Sequence, residues 1–312
     1  MHDDRVVIAL GGNAMLGEHG EADAPAQQRA VERAMEQVAE LVADGWLVVL
    51  THGNGPQVGN LLVKNELARD VVPAMPLDWC VAQTQATVGF MVANALEQSL
   101  ARRRLSWPVV AVVSRVEVAA GDPAFQRPTK PIGRYLPEAE AHLRSAEAQS
   151  WRDFGVKGWR RVVPSPEPIA IVDRDSVVQL VDAGFIVVAA GGGGIPVVRD
   201  EDGLRGVEAV IDKDLTAMLL ARTVGASQLQ IATDVEHVLI HYGTPAQRPL
   251  GRVGSADLRG LADQGHFQAG SMGPKVEAAI RFVEQGGRAA VITSLDRLAQ
   301  GVRLETGTIV TA

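Results

Sequence analysis

The chain has 312 residues, of which 46% are hydrophobic, so it is long enough to bury a large core as one α/β domain or as two joined lobes. Its net charge of −7 argues against a nucleic acid or an acidic membrane surface as partner, because both bind preferentially to basic protein surfaces. The single cysteine, Cys80, excludes an internal disulfide and fits a reducing compartment.

Targeting, membrane and zinc-binding signals are not found in the sequence. Asp3 and Asp4 precede a short apolar strand, which is unlike a secretory leader. No run approaches the roughly 18 apolar residues of a membrane span, and the seven histidines are scattered, without a Cys-x-x-Cys pair. Cys80 lies in an apolar stretch, which favours core packing over a role as a catalytic thiol. We therefore expect a cytoplasmic protein.

Strand-like apolar runs alternate with helical patterns from the N-terminus onwards. This alternation predicts an α/β fold with a largely parallel sheet that is covered by helices on both faces. The elements predicted in the first part of the chain are strand 5–10, helix 25–44, strand 46–51, helix 56–69, helix 78–103 and strand 108–113.

Two glycine-rich turns directly follow the first two strands. These turns are Gly11-Gly12-Asn13 and His52-Gly53-Asn54-Gly55-Pro56, and a helix follows each of them. In a parallel α/β sheet such turns lie at the carboxyl edge, where glycine lets the backbone approach a phosphate and helix N-termini favour anions. Neither turn has the spacing of a Walker loop or of a dinucleotide-binding loop. The sequence therefore predicts a phosphate site of another kind.

The segment from 115 to about 169 differs from the rest of the chain. It is rich in proline and charged clusters and has no strong periodic core pattern, so we expect a lid or protruding subdomain there. Regular patterns then resume, and a boundary near residue 170 marks two lobes of one fold. The elements predicted beyond it are helix 176–183, strand 185–189, a helix from 213 to 222, strand 228–232, helix 274–284 and strand 289–293.

Three lysines lie in settings that differ from those of solvated surface lysines. Lys213 is held as a cation between Asp212 and Asp214, about twenty positions after a run of four glycines, 191–194, that offers backbone N–H groups to anions. Lys130 is aimed by a stiff loop with flanking prolines, and Lys275 occupies the first turn of a helix after Gly-Pro. Phosphoryl transfer needs alignment and positive charge on the shared phosphoryl group, which lysines and backbone N–H groups supply.

Each of these features also has a purely structural interpretation. A lysine flanked by acids is commonly a salt-bridged surface position, a proline-rich loop is commonly a rigid connection, and Gly-Pro is ordinary at a helix start. The glycine turns can likewise serve only to join strands to helices. The coincidence of all of them in one chain favours phosphoryl-transfer chemistry.

Seven motifs, in order along essentially the whole chain, resemble those of the carbamate kinases in the amino acid kinase superfamily. They are Ala9-Leu10-Gly11-Gly12-Asn13-Ala14, the segment 51–59 (THGNGPQVG), the segment 128–133 (PTKPIG), the segment 161–166 (RVVPSP), the segment 190–197 (AGGGGIPV), the segment 211–214 (IDKD) and the segment 269–275 (AGSMGPK). The segment from 115 to about 169, called the excursion below, bears Lys130. It also resembles the protruding subdomain that distinguishes carbamate kinases from acetylglutamate, aspartate and uridylate kinases.

The resemblance implies a three-layer αβα sandwich with the amino acid kinase fold and a small protruding lid. Residues 1–170 would form the lobe that binds the phosphoryl acceptor, including the lid at about 115–169, and residues 171–312 would form the nucleotide-binding lobe. The implied reaction is ATP plus carbamate giving ADP plus carbamoyl phosphate, with the reverse direction making ATP in catabolism. Mg²⁺ would arrive with the nucleotide rather than at a metal site of the protein, and a homodimer is expected.

The resemblance also assigns roles to individual residues. It implies that Lys130, Lys213 and Lys275 act on the transferred group and that Asp212 and Asp214 organise Lys213. The phosphate and substrate would be held by Gly11, Gly12, Asn13, Gly53 and Asn54. The nucleotide would be held by Gly192, Gly193, Thr233, Asp234, Tyr242, Met272 and Lys275.

The sequence departs from the family pattern in two segments. The family usually shows glycines near Val81 and Ala86, and the larger side chains here either narrow the acceptor pocket or adjust helix packing. Residues near Leu239, His241 and Thr244 also differ, in the segment that surrounds the nucleoside. Two alternatives therefore stay open: a kinase of the same fold that acts on another small carboxylate or carbamate-like acceptor, and a nucleotide-binding regulator without turnover.

Overall fold

The computed structural model describes residues 4–12, 24–145, 149–268 and 270–312. The strands are β1 (Arg5–Leu10), β2 (Leu47–His52), β3 (Val109–Ala111), β4 (Arg115–Val118), β5 (Lys130–Leu136), β6 (Ser150–Asp153), β7 (Trp159–Val163), β8 (Pro168–Ile171), β9 (Ile186–Val188), β10 (Ile195–Asp200), β11 (Gly203–Gly206), β12 (Gln228–Thr233), β13 (Leu239–Ile240), β14 (Arg248–Pro249), β15 (Arg252–Gly254), β16 (Ala289–Ser294) and β17 (Thr308–Thr311).

The helices alternate with these strands through most of the chain. They are α1 (Ala24–Ala43), α2 (Gly55–Ala68), α3 (Leu77–Arg102), α4 (Glu138–Ser145), α5 (Arg174–Asp182), α6 (Lys213–Thr223), α7 (Ser255–Asp263), α8 (Met272–Glu284) and α9 (Leu298–Val302). No helix in the described ranges is long and apolar enough to cross a membrane.

An eight-stranded sheet forms the centre of the molecule, in the order β15-β17-β16-β12-β1-β2-β9-β3. Every neighbouring pair is parallel except β16 with β17. Both faces of the sheet are covered, which is why β1 and β2 are continuous apolar runs rather than alternating ones.

Two layers of helices pack against opposite faces of this sheet. Val7 and Ala9 of β1 join the cluster that contains Phe282 of α8, whereas Val6 and Ile8 join the cluster that contains Met35 of α1. This division follows from the alternation of side chains along a strand. The predicted three-layer αβα sandwich with a largely parallel sheet is therefore confirmed.

Two smaller sheets lie beside the central one. Strands β5, β7 and β6 form an antiparallel sheet within the range predicted to protrude, and helix α4 contacts β6 and β7. Strands β4 and β8, at the two ends of that range, pair with each other, and β4 also pairs with β10. The smaller sheets thus join the excursion to residues beyond 194, and the division into lobes near residue 170 stays a prediction.

Candidate active site

An open cleft of about 240 Å³ lies at the carboxyl ends of β1, β2 and β12, as expected for a parallel sheet. The N-termini of α6 and α8 and the first residues of β5 complete its walls. The predicted site residues that line it are Gly11, Gly12, Gly53, Asn54, Lys130, Gly192, Asp212, Lys213, Asp214, Thr233, Asp234 and Lys275. Asn13 lies outside the described residues.

The first two glycine turns touch each other at the floor of the cleft. A Cβ atom on Gly53 would lie only 2.7 Å from the backbone nitrogen of Gly12 and 3.0 Å from Cδ of Lys213. The N–H of Gly53 donates to the carbonyl of Leu10 at 2.9 Å, which fixes the second turn against the end of β1. Glycine is therefore required at position 53 for the two turns to approach one another.

Asn54 lies beneath a third glycine turn, residues 190–194, which follows β9. Its side chain is buried and donates to the Thr84 hydroxyl at 2.8 Å, while that hydroxyl donates to the carbonyl of Val81 at 2.7 Å. A Cβ atom on Gly192 would lie 2.2 Å from Nδ2 of Asn54. The carboxamide thus supports the backbone of Gly192 at the wall of the cleft.

The glycine run after β9 is a tight turn with unusual backbone angles. Four residues have positive φ: Ala190 at 54°, Gly192 at 68°, Gly193 at 92° and Gly194 at 88°. Gly193 packs against the carbonyl oxygen of Ile211, 2.4 Å from where its Cβ would lie, and its own carbonyl accepts from the Thr216 hydroxyl. Gly192 therefore lines the cleft, whereas Gly193 lies behind it, and a nucleotide contact by Gly193 stays a prediction.

The structure brings the three predicted lysines and both aspartates into one cluster. Asp214 accepts from Lys213 at 2.7 Å and from Lys275 at 2.8 Å, one on each carboxylate oxygen. Asp212 accepts from Lys130 of the excursion at 2.6 Å and from the backbone N–H of Asp214 at 2.9 Å, where it caps helix α6. With three ammonium groups against two carboxylates, the cluster itself carries one net positive charge.

Burial and mutual attraction set the protonation of this cluster. Burial alone would raise the pKa of Asp214, but the charges of Lys213 and Lys275 lower it to about 2. Burial, together with the charge of Lys275, lowers the pKa of Lys213. Burial also opposes the charged form of Lys275, yet the attraction of Asp214 raises its pKa. The shared carboxylate of Asp214 thus holds two ammonium groups side by side where anionic oxygens can reach them.

His52 is a buried residue between the second and third glycine turns that sequence reasoning did not single out. Its Nδ1 lies 3.0 Å from the carbonyl oxygen of Gly53, which can only accept, so Nδ1 carries the proton. Burial lowers the pKa of His52 to about 4, and its ring lies against Gly191. His52 could have been identified from the sequence by its position in the 51–59 motif, directly before Gly53.

A second pocket, of about 170 Å³, adjoins the cleft and shares Thr233, Asp234, Ser271 and Lys275 with it. Tyr242 and Met272 line this second pocket, together with Val235, His237 and Leu239 of the segment expected to surround the nucleoside. Three further lining residues were not predicted from the sequence, namely His266, Phe267 and Gln268. The mixture of apolar, aromatic and polar side chains suits a heteroaromatic base with its sugar. Lys275 lies at the junction of the two spaces.

The two departures on α3 do not line either space. Val81 is fully buried in a cluster with Val58, Ile132 and Val210, which themselves line the cleft, and Ala86 is exposed. Val81 therefore acts on the cleft only through the packing behind it. Cys80, next to it, is also buried, and burial raises the pKa of its thiol, as expected for a core residue.

A divalent cation has few candidate ligands among the described residues. None of their groups of three or more His, Cys, Asp or Glu side chains could hold a metal ion. A Mg²⁺ ion that is bound largely by nucleotide phosphates needs only one or two protein carboxylates. Asp234 is exposed at the junction of the two spaces, whereas Asp212 and Asp214 are engaged by the lysines. Asp234 could therefore hold such an ion.

Known proteins match this chain over nearly its full length. The model of the amino acid kinase family matches residues 4–294. A carbamate kinase of Thermococcus kodakarensis is 47% identical over 310 residues, covering 97% of this chain and 98% of the relative. Carbamate kinase 1 of Enterococcus faecium is 45% identical over 310 residues, covering 98% of this chain and 99% of the relative.

A solved structure agrees with these relatives. The carbamate kinase from Giardia lamblia bound to AMP-PNP superposes with a TM-score of 0.93 and 40% identity, and the match covers 99% of each chain. The chain therefore belongs to the amino acid kinase family.

Proposed function

We propose that this chain is a carbamate kinase, an ATP-dependent phosphotransferase that interconverts ATP plus carbamate and ADP plus carbamoyl phosphate. The observation that carries the proposal is the cluster of Lys130, Lys213 and Lys275 on two aspartates, set between two glycine turns and an adjoining pocket. The full-length similarity to carbamate kinases supports the same chemistry.

In the proposed reaction a carbamate oxygen forms a bond to the γ-phosphorus of ATP while the bond from that phosphorus to the bridging oxygen of ADP breaks. The carbamate oxygen is already anionic, so no general base is required. Lys213 and Lys275 both line the cleft, and Asp214 holds their ammonium groups at 2.7 and 2.8 Å. In that position they neutralise the charge that develops on the equatorial and bridging oxygens. Lys130 reaches the carbamoyl phosphate from the excursion.

The backbone turns supply the remaining contacts of the transferred group. We assign Gly11, Gly12, Asn13, Gly53 and Asn54 to the phosphoryl group and the acceptor, on the basis of the close approach of the first two turns. The nucleoside would enter the second pocket beside Thr233, Asp234, Tyr242 and Met272, so that its phosphates point past Lys275 into the cleft. Mg²⁺ would accompany the nucleotide, where it supplies further positive charge to the phosphates.

The division of labour between lobes follows from these assignments. Residues 1–170 would bind the acceptor, with the excursion as a lid, and residues 171–312 would bind the nucleotide.

We also propose a homodimer, because Trp79 and Phe90 lie on one face of α3 and remain 62% and 64% exposed. We place the enzyme in the cytoplasm, where ADP and ATP are available, and propose that it works in the direction of ATP synthesis.

The acceptor is tested by offering two phosphoryl donors. Purified protein with Mg²⁺ and ADP is given carbamoyl phosphate or acetyl phosphate, which differ by an amino group and a methyl group. We expect ATP formation with a kcat/KM at least about tenfold higher for carbamoyl phosphate, because a polar site rejects an analogue that cannot form its hydrogen bonds. Equal or reversed preference would contradict carbamate specificity and favour another carboxylate acceptor. Binding of ADP without turnover of either donor would favour a regulator.

A further inference from the structure

Gln85 is a buried side chain on α3 whose hydrogen bonds all go to backbone atoms of other segments. Its Oε1 accepts from the N–H of Ser114 at 2.8 Å, and its Nε2 donates to the carbonyls of Ser114 at 3.1 Å and Gly191 at 2.9 Å. Gln85 is only 4% exposed and lines neither the cleft nor the second pocket. It therefore joins three segments without reaching the substrate spaces.

The segment that Gln85 holds is the strained part of the third glycine turn. Ala190 has φ of 54°, a left-handed conformation that costs a non-glycine residue about 1 kcal/mol or more. Its N–H donates to the Ser114 hydroxyl at 3.0 Å, and its carbonyl accepts from the Thr51 hydroxyl at 3.1 Å. Side chains from β2, α3 and the loop before β4 therefore impose this conformation from three sides.

The neighbouring residue on α3 holds the second glycine turn. Thr84 accepts from Asn54, so consecutive residues of one helix bond to both turns that meet across Gly192. The spacing between the Asn54 side chain and the backbone at Gly191 and Gly192 is thus set by two adjacent residues of α3. Because Gly192 lines the cleft, a shift of this spacing moves the backbone that faces the transferred group.

We propose that Gln85 is a positioning residue for phosphoryl transfer, which fixes the Ala190–Gly194 turn so that the backbone at Gly192 is in place for the transition state. The proposal rests on the proposed function. A positional error of about 1 Å is enough to cost about a hundredfold in rate, so a residue with no substrate contact has a large effect through the turn alone. The nucleoside pocket lies away from this turn and is not set by Gln85.

The test replaces Gln85 by methionine, which has a similar length but no amide group to form hydrogen bonds. The carbonyls of Gly191 and Ser114 keep backbone donors, from Gly194 and Ile195, so among these groups only the N–H of Ser114 loses its partner and the variant should stay folded. We expect Gln85→Met to lower kcat for ATP formation by about ten- to a hundredfold and to leave the KM for ADP within about twofold. Gln98→Met, on the exposed face of the same helix, should match the parent protein.

Hydrogen–deuterium exchange of residues 190–194 supplies a readout that does not depend on turnover. Faster exchange there in Gln85→Met, but not in Gln98→Met, is expected. Unchanged kcat, or a loss of kcat together with a raised KM for ADP and a lowered melting temperature, would overturn the positioning role. A further outcome is that the parent protein makes no ATP while Gln85→Met still accelerates exchange at 190–194. That result would refute the proposed function but would support the claim that Gln85 fixes the turn.

A second variant covers the case in which Gln85→Met does not fold. Thr51→Val keeps the side-chain shape and removes only the hydroxyl that bonds to the carbonyl of Ala190. It should reduce kcat severalfold, again with the KM for ADP unchanged. A Thr51→Val protein with full kcat and unchanged exchange at 190–194 would contradict the idea that the conformation of this turn limits the reaction.

Discussion

Replacing Asp214 by asparagine is expected to lower the free energy of unfolding by about 3 kcal/mol and to reduce kcat by about a hundredfold or more. Asp214 is buried and holds Lys213 and Lys275 on its two oxygens. Asparagine has the same shape but no charge, so two buried ammonium groups lose their counter-charge. Denaturant unfolding and the steady-state rate of ATP formation measure the two effects.

The matched control for this change is Asp263→Asn, at the exposed end of α7. It makes the same substitution away from any lysine cluster and should leave both quantities unchanged. An Asp214→Asn protein with parental stability and kcat would show that the carboxylate does not organise the lysines.

The pH dependence of the same variant gives an independent check. The pKa of Asp214 is lowered from its ordinary 3.8 to about 2 in the folded protein. A lowered pKa contributes stability that is present above 3.8 and is lost as the pH falls through about 2. The difference in unfolding free energy between the parent protein and Asp214→Asn should therefore shrink as the pH falls through this window. A difference that grows on acidification would contradict the assigned ion pairs.

Replacing Lys213 by methionine is the second change with a large expected effect. Methionine keeps most of the apolar stem of the side chain and removes the ammonium group that Asp214 holds in the cleft. Positive groups aimed at a transferring phosphoryl group are worth about a thousandfold in rate, so kcat should fall by about that factor. Affinity for ADP should change little, because the nucleoside would lie in the second pocket, which Lys213 does not line.

The stability of Lys213→Met separates this effect from unfolding. Asp214 keeps Lys275 as its partner, so no buried charge is left unpaired and the melting temperature should change little. Lys64→Met, on the exposed surface of α2, serves as control and should retain full activity. A kcat of Lys213→Met within about tenfold of the parent value would show that Lys213 does not act on the transferred phosphoryl group.

The buried elements of the fold were readable from the sequence. The predicted strand 5–10 has the observed bounds of β1, and the helix predicted at 78–103 is α3 with a shift of one residue. Both elements carry long apolar patterns because they pack into the core. By contrast, α7 and the strands β10, β11, β15 and β17 were not predicted. β11, β15 and β17 are only three or four residues long, and several of these strands pair across connections that local patterns do not specify.

The chemistry of the site could be predicted only in part, because the sequence shows neighbours along the chain but not contacts between distant residues. The three lysines and two aspartates stand out by their neighbours in sequence, whereas the bond from Lys130 to Asp212 joins residues 82 positions apart. Gln85 and Gly191 are 106 positions apart, so only the fold shows that they touch. His266 and Phe267 of the second pocket are likewise brought there by the packing of the loop before α8. Local patterns identify chemical groups, but not the distances between them.

The most direct test of the central claim is the formation of ATP from ADP, Mg²⁺ and carbamoyl phosphate, measured together with the Kd for ADP. The comparison includes Lys130→Met and, as control on the same excursion, Lys157→Met, which changes an exposed lysine. We predict robust ATP formation by the parent protein and by Lys157→Met. Lys130→Met should bind ADP with an unchanged Kd but form ATP at least about a hundredfold more slowly. A folded parent protein that binds ADP and forms no ATP would contradict the account.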